Sequence, residues 1–224
     1  MTLPDVHRPQ RTSPTSVAPD LTRQEYRRAS PPLFASALLD RFTRAHPALP
    51  VVVYLPIGIV LASVAVHEQG WSSTAGLAIG GYVLWTLAEY WLARLAFHKI
   101  PPGEWGALMH WRLHGVHHEH PDDPKRAVAP PLMSLPFAAV ITTIAFAVLG
   151  TGRGCAVMTG FLVGYLVYDL LHYHLHHGRP RTRIGRALRR RHMLHHFSDD
   201  TKGYAVSCPW WDHVFRTAPP LRKS

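Results

Sequence analysis

The sequence predicts an all-α integral membrane protein of four transmembrane helices, with a histidine-rich metal site gathered at its cytoplasmic face. Three observations carry this prediction. Four segments, 49–66, 75–97, 133–150 and 155–168, are apolar round their whole circumference. Lys and Arg are concentrated in the termini and in the loop between the second and third of these segments. Thirteen of the 17 histidines fall within residues 98–196, many of them at helical spacing.

Residues 1–32 are rich in Pro, Ser, Thr and Arg and poor in large apolar side chains, a composition that predicts a mostly disordered tail. They lack the apolar core of a cleavable signal peptide. Residues 1–45 together form a basic tail and membrane-proximal segment, followed by one domain at 46–217 and a short tail at 218–224. The stretches "LPVVVYLPIGIVLASVAV" (49–66) and "AGLAIGGYVLWTLAEYWLARLAF" (75–97) match the roughly 20 residues that cross a bilayer at ~1.5 Å rise each. The second turns ionisable only at Glu89 and Arg94. "MSLPFAAVITTIAFAVLG" (133–150) and "CAVMTGFLVGYLVY" (155–168) are shorter and span only if protein shields their last turns. A soluble bundle would keep a polar stripe on each helix, and these segments have none.

The formal net charge of +10 has a place in this arrangement. Seven arginines precede the first apolar segment, and eleven Lys or Arg follow Gly178. Arg94, Lys99, Arg112, Lys125 and Arg126 lie between the second and third segments, whereas "HEQGWSST" has no basic residue and "TGRG" only Arg153. The positive-inside rule puts both termini and the middle loop in the cytoplasm of a multi-pass protein. The run "RPRTRIGRALRRRH" fits attraction to anionic membrane lipids, so nucleic acid is not an expected partner. Cys155 and Cys208 are too few for a disulfide framework and fall in different predicted compartments.

On a helix, positions i, i+3 and i+4 share a face. His114, His117 and His118 in "HGVHH" therefore converge, as do His192, His195 and His196 in "HMLHH". His172 and His176 form an i, i+4 pair just past the fourth apolar stretch, and His98 ends the second. Neutral imidazole is a good ligand for iron and zinc, and the lack of Cys pairs argues against structural zinc knuckles. Nine clustered imidazoles exceed the needs of one ion, so two metal ions side by side are expected. Ligand histidines usually pass their other ring nitrogen to a carboxylate or carbonyl. Asp169, one turn before His172, and Glu89, on the helix that ends at His98, are the carboxylate candidates.

"EYWLARLAFH", "HGVHHEHPDDPKRAVAPP", "GYLVYDLLHYHLHH" and "HMLHHFSDDTKGYAVSCPWWDHVF" resemble the successive motifs of the fatty acid hydroxylase superfamily (the sterol desaturase family), most closely the fatty acid 2-hydroxylases. The likeness runs over about residues 80–217 and includes Pro121, Asp123, Arg126 and the Pro130–Pro131 step. It implies four spans under a cytosolic helical cap, two iron ions at the nine histidines, with zinc able to take such sites on purification, and O2 as co-substrate. It also implies an external electron donor, a separate protein of ferredoxin or cytochrome b5 type, because residues 1–45 are too short and polar for a fused cytochrome b5 domain. One position departs from the pattern. The family's first motif is His-x4-His, and here Ala93 stands at its first histidine and His98 at its second. The place is then open, or filled by water or by a neighbour, with His110 and His174 as spare imidazoles.

The expected reaction is hydroxylation of a fatty acyl chain at its 2-position, with Arg126, Arg179 or Lys202 gripping the polar end of the substrate. Hydroxylation or desaturation of a carotenoid, sterol or lipid head group is the rival chemistry, distinguished by the shape of the cavity. A catalytically weak metal- or haem-binding membrane protein is the rival of another class. Haem needs only one or two axial histidines, and nine at one membrane face suit a two-metal site better.

Overall fold

A computed structural model describes residues 21–220, and among them every regular element is helical. Two long hairpins form the body: α3 (Leu49–Gln69) with α4 (Trp71–Trp91), and α7 (Pro131–Leu149) with α8 (Thr151–His177). The predicted apolar segments each lie on one of these helices. Length and composition make α3, α7 and α8 candidate membrane spans. α4 equals α3 in length at 21 residues, but its Ser, Thr, Gly and Tyr side chains leave it less apolar.

The hairpins turn in the same way. Gly70 (φ 78°, ψ 170°) and Gly150 (φ 78°, ψ 171°) each end one helix and begin the next in a conformation that needs no Cβ. Both outer helices start on proline, at Pro50 and Pro131, where the missing N–H has no intrahelical partner in any case. α8 is the central helix and packs on α4, α3 and α7. Small residues let α4 and α8 approach backbone to backbone. A Cβ on Gly160 would sit 1.7 Å from the Ala78 carbonyl oxygen, and one on Gly81 would sit 1.9 Å from that of Val157. Just beyond, the Trp85 ring meets Phe161 and Tyr165 edge-on at centroid distances of 5.1 and 5.2 Å.

The remaining elements gather at the end of the bundle opposite Gly70 and Gly150. α4 runs on into a π-helical turn (Leu92–Phe97), and α5 (Gly103–His110), a second π turn (Trp111–Gly115) and α6 (Val116–Glu119) follow. After α8 come α9 (Arg183–Phe197) and α10 (Trp210–Val214). Both π turns lie next to histidines of the predicted site. Such wider turns recur at functional positions, where they re-aim side chains.

Residues 21–32, the described part of the stretch expected to be disordered, are ordered together with the membrane-proximal residues that follow. α1 (Arg23–Arg28) is closed by a Thr22–Glu25 capping box, and α2 (Ala37–Arg41) is capped by Ser36. This segment lies along residues 112–126 through specific bonds. Arg27 pairs with Asp122 at 2.9 Å, Arg126 donates to the Pro31 carbonyl, Arg112 to that of Leu33, and the Ala45 N–H to that of Lys125. Its polar composition concealed the backbone carbonyls that fix it. The expectations for residues 1–20 and 221–224 lie outside the described residues.

Candidate metal centre

The structure brings all nine predicted histidines together in two groups. His117, His172, His176, His192 and His196 form one, and His98, His114, His118 and His195 the other, with ring nitrogens within 4.8 Å of one another in each. The groups abut: the His118 and His196 rings stack with centroids 4.2 Å apart. Four helix ends supply them. His98 caps the π turn after α4, the α5–α6 stretch brings three histidines, the last turns of α8 bring two, and α9 brings three.

Within each group the Nε2 atoms face one another. His117 and His172 approach to 3.1 Å and His176 and His192 to 2.7 Å; His118 lies 3.1 Å from both His98 and His114. Nitrogens bound to one ion at about 2.1 Å would be about 3 Å apart at right angles, so these edges fit metal coordination. Both ring nitrogens of His196 are buried without a hydrogen-bond partner, as are Nδ1 of His117 and His192. A buried group left so costs on the order of 1–3 kcal/mol, a penalty that an ion bound by His196 would offset at one of its two nitrogens. Nine imidazoles with no thiolate suit iron or zinc. The free thiols, Cys155 and Cys208, belong to neither group.

The protein holds these rings neutral and turned the right way. Burial pushes His98 down to about 4, and burial and neighbouring imidazoles hold His114, His117, His118, His192 and His196 well below the usual histidine range. A neutral ring keeps a lone pair for a metal. In three cases a backbone carbonyl accepts from Nδ1–H and leaves the lone pair on Nε2: Ala93 for His98 (2.7 Å), Ala127 for His172 (2.9 Å) and Lys202 for His195 (2.7 Å).

These carbonyls occupy the role expected of carboxylates. Neither Glu89 nor Asp169 bonds to a histidine ring. Glu89 accepts from the Val206 and Ser207 N–H groups at 2.7 and 2.8 Å and pairs with the Ser207 hydroxyl. Asp169 accepts from the Ala129 N–H at 3.1 Å and the Tyr165 hydroxyl at 3.3 Å. Each buried carboxylate pins a loop, and the loops carry the orienting groups: Ala127 lies two residues from Ala129, and Lys202 four from Val206. Sequence reasoning missed the carbonyls, because a backbone acceptor has no residue type. It also missed Asp212, which is fully buried and accepts from the Tyr204 and Ala205 N–H groups.

The other candidates are placed as follows. His110 and His174 belong to neither group, and His174 is exposed. His67 is exposed, His46 accepts from the Ala48 N–H beside α3, and His7 lies outside the described residues. Arg126 is buried and lines a cavity, but its guanidinium faces Asp123, Asp40 and the Pro31 carbonyl. Arg179 is exposed, and Lys202 contributes its carbonyl. That cavity has a volume of about 400 Å³ and is lined by Tyr54, Trp85, Phe137 and Leu162 and by His114, His117 and His172. Its walls are mostly apolar, and its histidines come from both groups.

A helical membrane protein whose two abutting histidine groups can hold metal ions is the class that fold and site define. The chain belongs to the fatty acid hydroxylase family, whose model matches residues 78–217. It is 32% identical over 193 residues to a dihydroceramide fatty acyl 2-hydroxylase of Arabidopsis thaliana, covering 86% of this chain and 81% of that one. It is 35% identical to the human fatty acid 2-hydroxylase over 148 residues, 65% of this chain and 40% of that one. A solved structure described as full-length scs7p, in which only the hydroxylase domain is visible, superposes with a TM-score of 0.81 at 30% identity. That match covers 91% of this chain and 83% of the other.

Proposed function

We propose that the protein hydroxylates a fatty acyl chain of a lipid or free fatty acid at C2, with iron at its nine histidines, O2 as co-substrate and electrons from a separate donor protein. One observation carries the proposal: a mostly apolar cavity in the helical bundle is lined by histidines of both groups. The relatives named for acyl 2-hydroxylation support the position attacked. Iron bound there would supply the oxygen activation that an unreactive C–H bond requires.

The chain's own residues account for the rest. Tyr54, Trp85, Phe137 and Leu162 bury an acyl tail and exclude water from the reacting end. The carbonyls of Ala93, Ala127 and Lys202 fix three rings in one tautomer, and burial keeps the imidazoles unprotonated at neutral pH. We further infer that α3, α4, α7 and α8 all span the bilayer, with the termini and histidines in the cytoplasm, on the distribution of Lys and Arg. A reductant would then reach the histidines from the aqueous side while substrate enters laterally from the lipid.

Expression in a host without 2-hydroxy acyl lipids, followed by tandem mass spectrometry of the lipids, tests the reaction. The expected product carries one added oxygen on C2 of the acyl chain. An added oxygen confined to a head group, sterol or carotenoid would refute the assignment.

A further inference from the structure

The two histidine groups are unequal, and the inequality traces to Ala93. The π turn Leu92–Phe97 closes i→i+5 hydrogen bonds, so Ala93 and the capping His98, five residues apart, fall on nearly the same side of the helix. A histidine at 93 would lie beside Tyr204, whose ring borders the four-membered group. The alanine packs with Tyr90, Tyr204 and Ala205. The Tyr204 ring stands beside the same group, 5.3 Å from His98 and 6.1 Å from His195 between centroids. Asp212 clamps it there through the N–H groups of Tyr204 and Ala205. Neither spare imidazole joins the group. Three of its four members are partly exposed, whereas four of the five in the other group are buried.

We propose that the group of His98, His114, His118 and His195 is the open member of the pair, holding its metal ion more weakly and keeping one coordination place for a small exogenous ligand beside Tyr204. The group of five is the closed and tighter member. This proposal rests on the metal-binding reading above. An ion that takes five ligands would be filled by the group of five and would keep one place for water or a small anion at the group of four, where a strictly tetrahedral ion would keep none.

The test uses the full chain in detergent, loaded with cobalt(II) as a spectroscopic probe and challenged with azide and with a chelator. Wild type should bind about two cobalt ions per chain, change its visible absorption on binding one azide, and lose one cobalt well before the other. Ala93→His should keep both ions but lose the azide response and the fast-leaving phase. Should that side chain collide with Tyr204 and unfold the protein, two other variants decide. His195→Ala should lack the fast-leaving ion from the outset, and His192→Ala should lack the slow one. Release of both ions in one phase, an azide response that survives Ala93→His, or loss of the fast ion in His192→Ala would overturn the proposal while leaving the metal reading intact. A wild-type chain that binds no cobalt would overturn both.

Discussion

Glu89 offers a sharp test of how the site is supported. It lies at the end of α4, 2% exposed, and spans 117 residues of sequence to reach Val206. One carboxylate oxygen accepts two backbone N–H groups, of Val206 and Ser207, and the other takes the Ser207 hydroxyl. Glu89→Ala would leave the Val206 N–H buried and unpaired, at roughly 1–3 kcal/mol, and the part-buried Ser207 N–H unpaired at somewhat less, so the expected loss is about 2–5 kcal/mol. The hydroxyl can turn elsewhere and is left out of that figure. Glu89→Gln keeps an oxygen for both N–H groups and can donate to the hydroxyl, losing only the charge assistance, on the order of 1 kcal/mol. For a chain of this size a kcal/mol moves the melting midpoint by roughly 2–4 °C. In detergent the alanine variant should therefore melt roughly 10 °C below wild type and the glutamine variant within a few degrees of it. Metal content should follow the same order, because the pinned loop carries Tyr204 and, just before it, the carbonyl of Lys202 that orients His195. An alanine variant as stable as wild type would refute the reasoning. So would a glutamine variant as depleted of metal as the alanine, which would point to a direct charge interaction with a ring.

Three further outcomes are expected. His117→Ala and His195→Ala, one from each group, should lower bound metal, measured by elemental analysis, and abolish hydroxylation, while His46→Ala and His67→Ala retain both. Gly160→Leu should prevent α4 and α8 from closing, since even a Cβ there meets the Ala78 carbonyl at 1.7 Å; folded yield after detergent extraction reads it, and Gly58→Ala, which meets nothing within 4 Å, serves as the control. Reporter fusions at residue 70 and at the C-terminus should fall on opposite sides of the membrane, and the same side for both would refute the four-span arrangement.

The bundle was legible because burial in lipid or protein writes itself into side chains: long apolar runs gave the bodies of α3, α4, α7 and α8, although α8 runs nine residues past its apolar stretch to His177 and α4 ends at Trp91. The nine histidines were legible because their spacing follows the helix. What was not legible depends on backbone atoms or on long-range fit. The Ala93, Ala127 and Lys202 carbonyls, the folding of residues 21–46 onto residues 112–126 and the π turns have no compositional mark. Glu89 and Asp169 were correctly singled out as buried carboxylates, yet sequence distance to a histidine suggested a direct bond where the structure places a pinned loop. Arg126 was singled out as a substrate grip, and the chain uses its guanidinium to hold the N-terminal segment.

The division into five and four follows from helix geometry more closely than the spacing alone suggested. Successive residues on an α-helix point about 100° apart, so the adjacent pair His117 and His118 cannot easily aim at one ion. The structure separates them: His118 joins His114, four residues before it, and His117 joins the other group. The second triplet divides in the same way, His192 and His196 together and His195 apart. His172 and His176, again four residues apart, stay together. Each His-x-x-His-His motif is thus a bridge with a foot in both groups. Two such bridges facing each other would give three nitrogens on either side. The α8 pair raises one side to five, and His98 raises the other to four. A histidine at position 93 would have made the count equal. On the proposal above, the unequal count turns on a single residue of the π turn and not on either triplet, and that is why exchanging Ala93 is the decisive substitution in this chain.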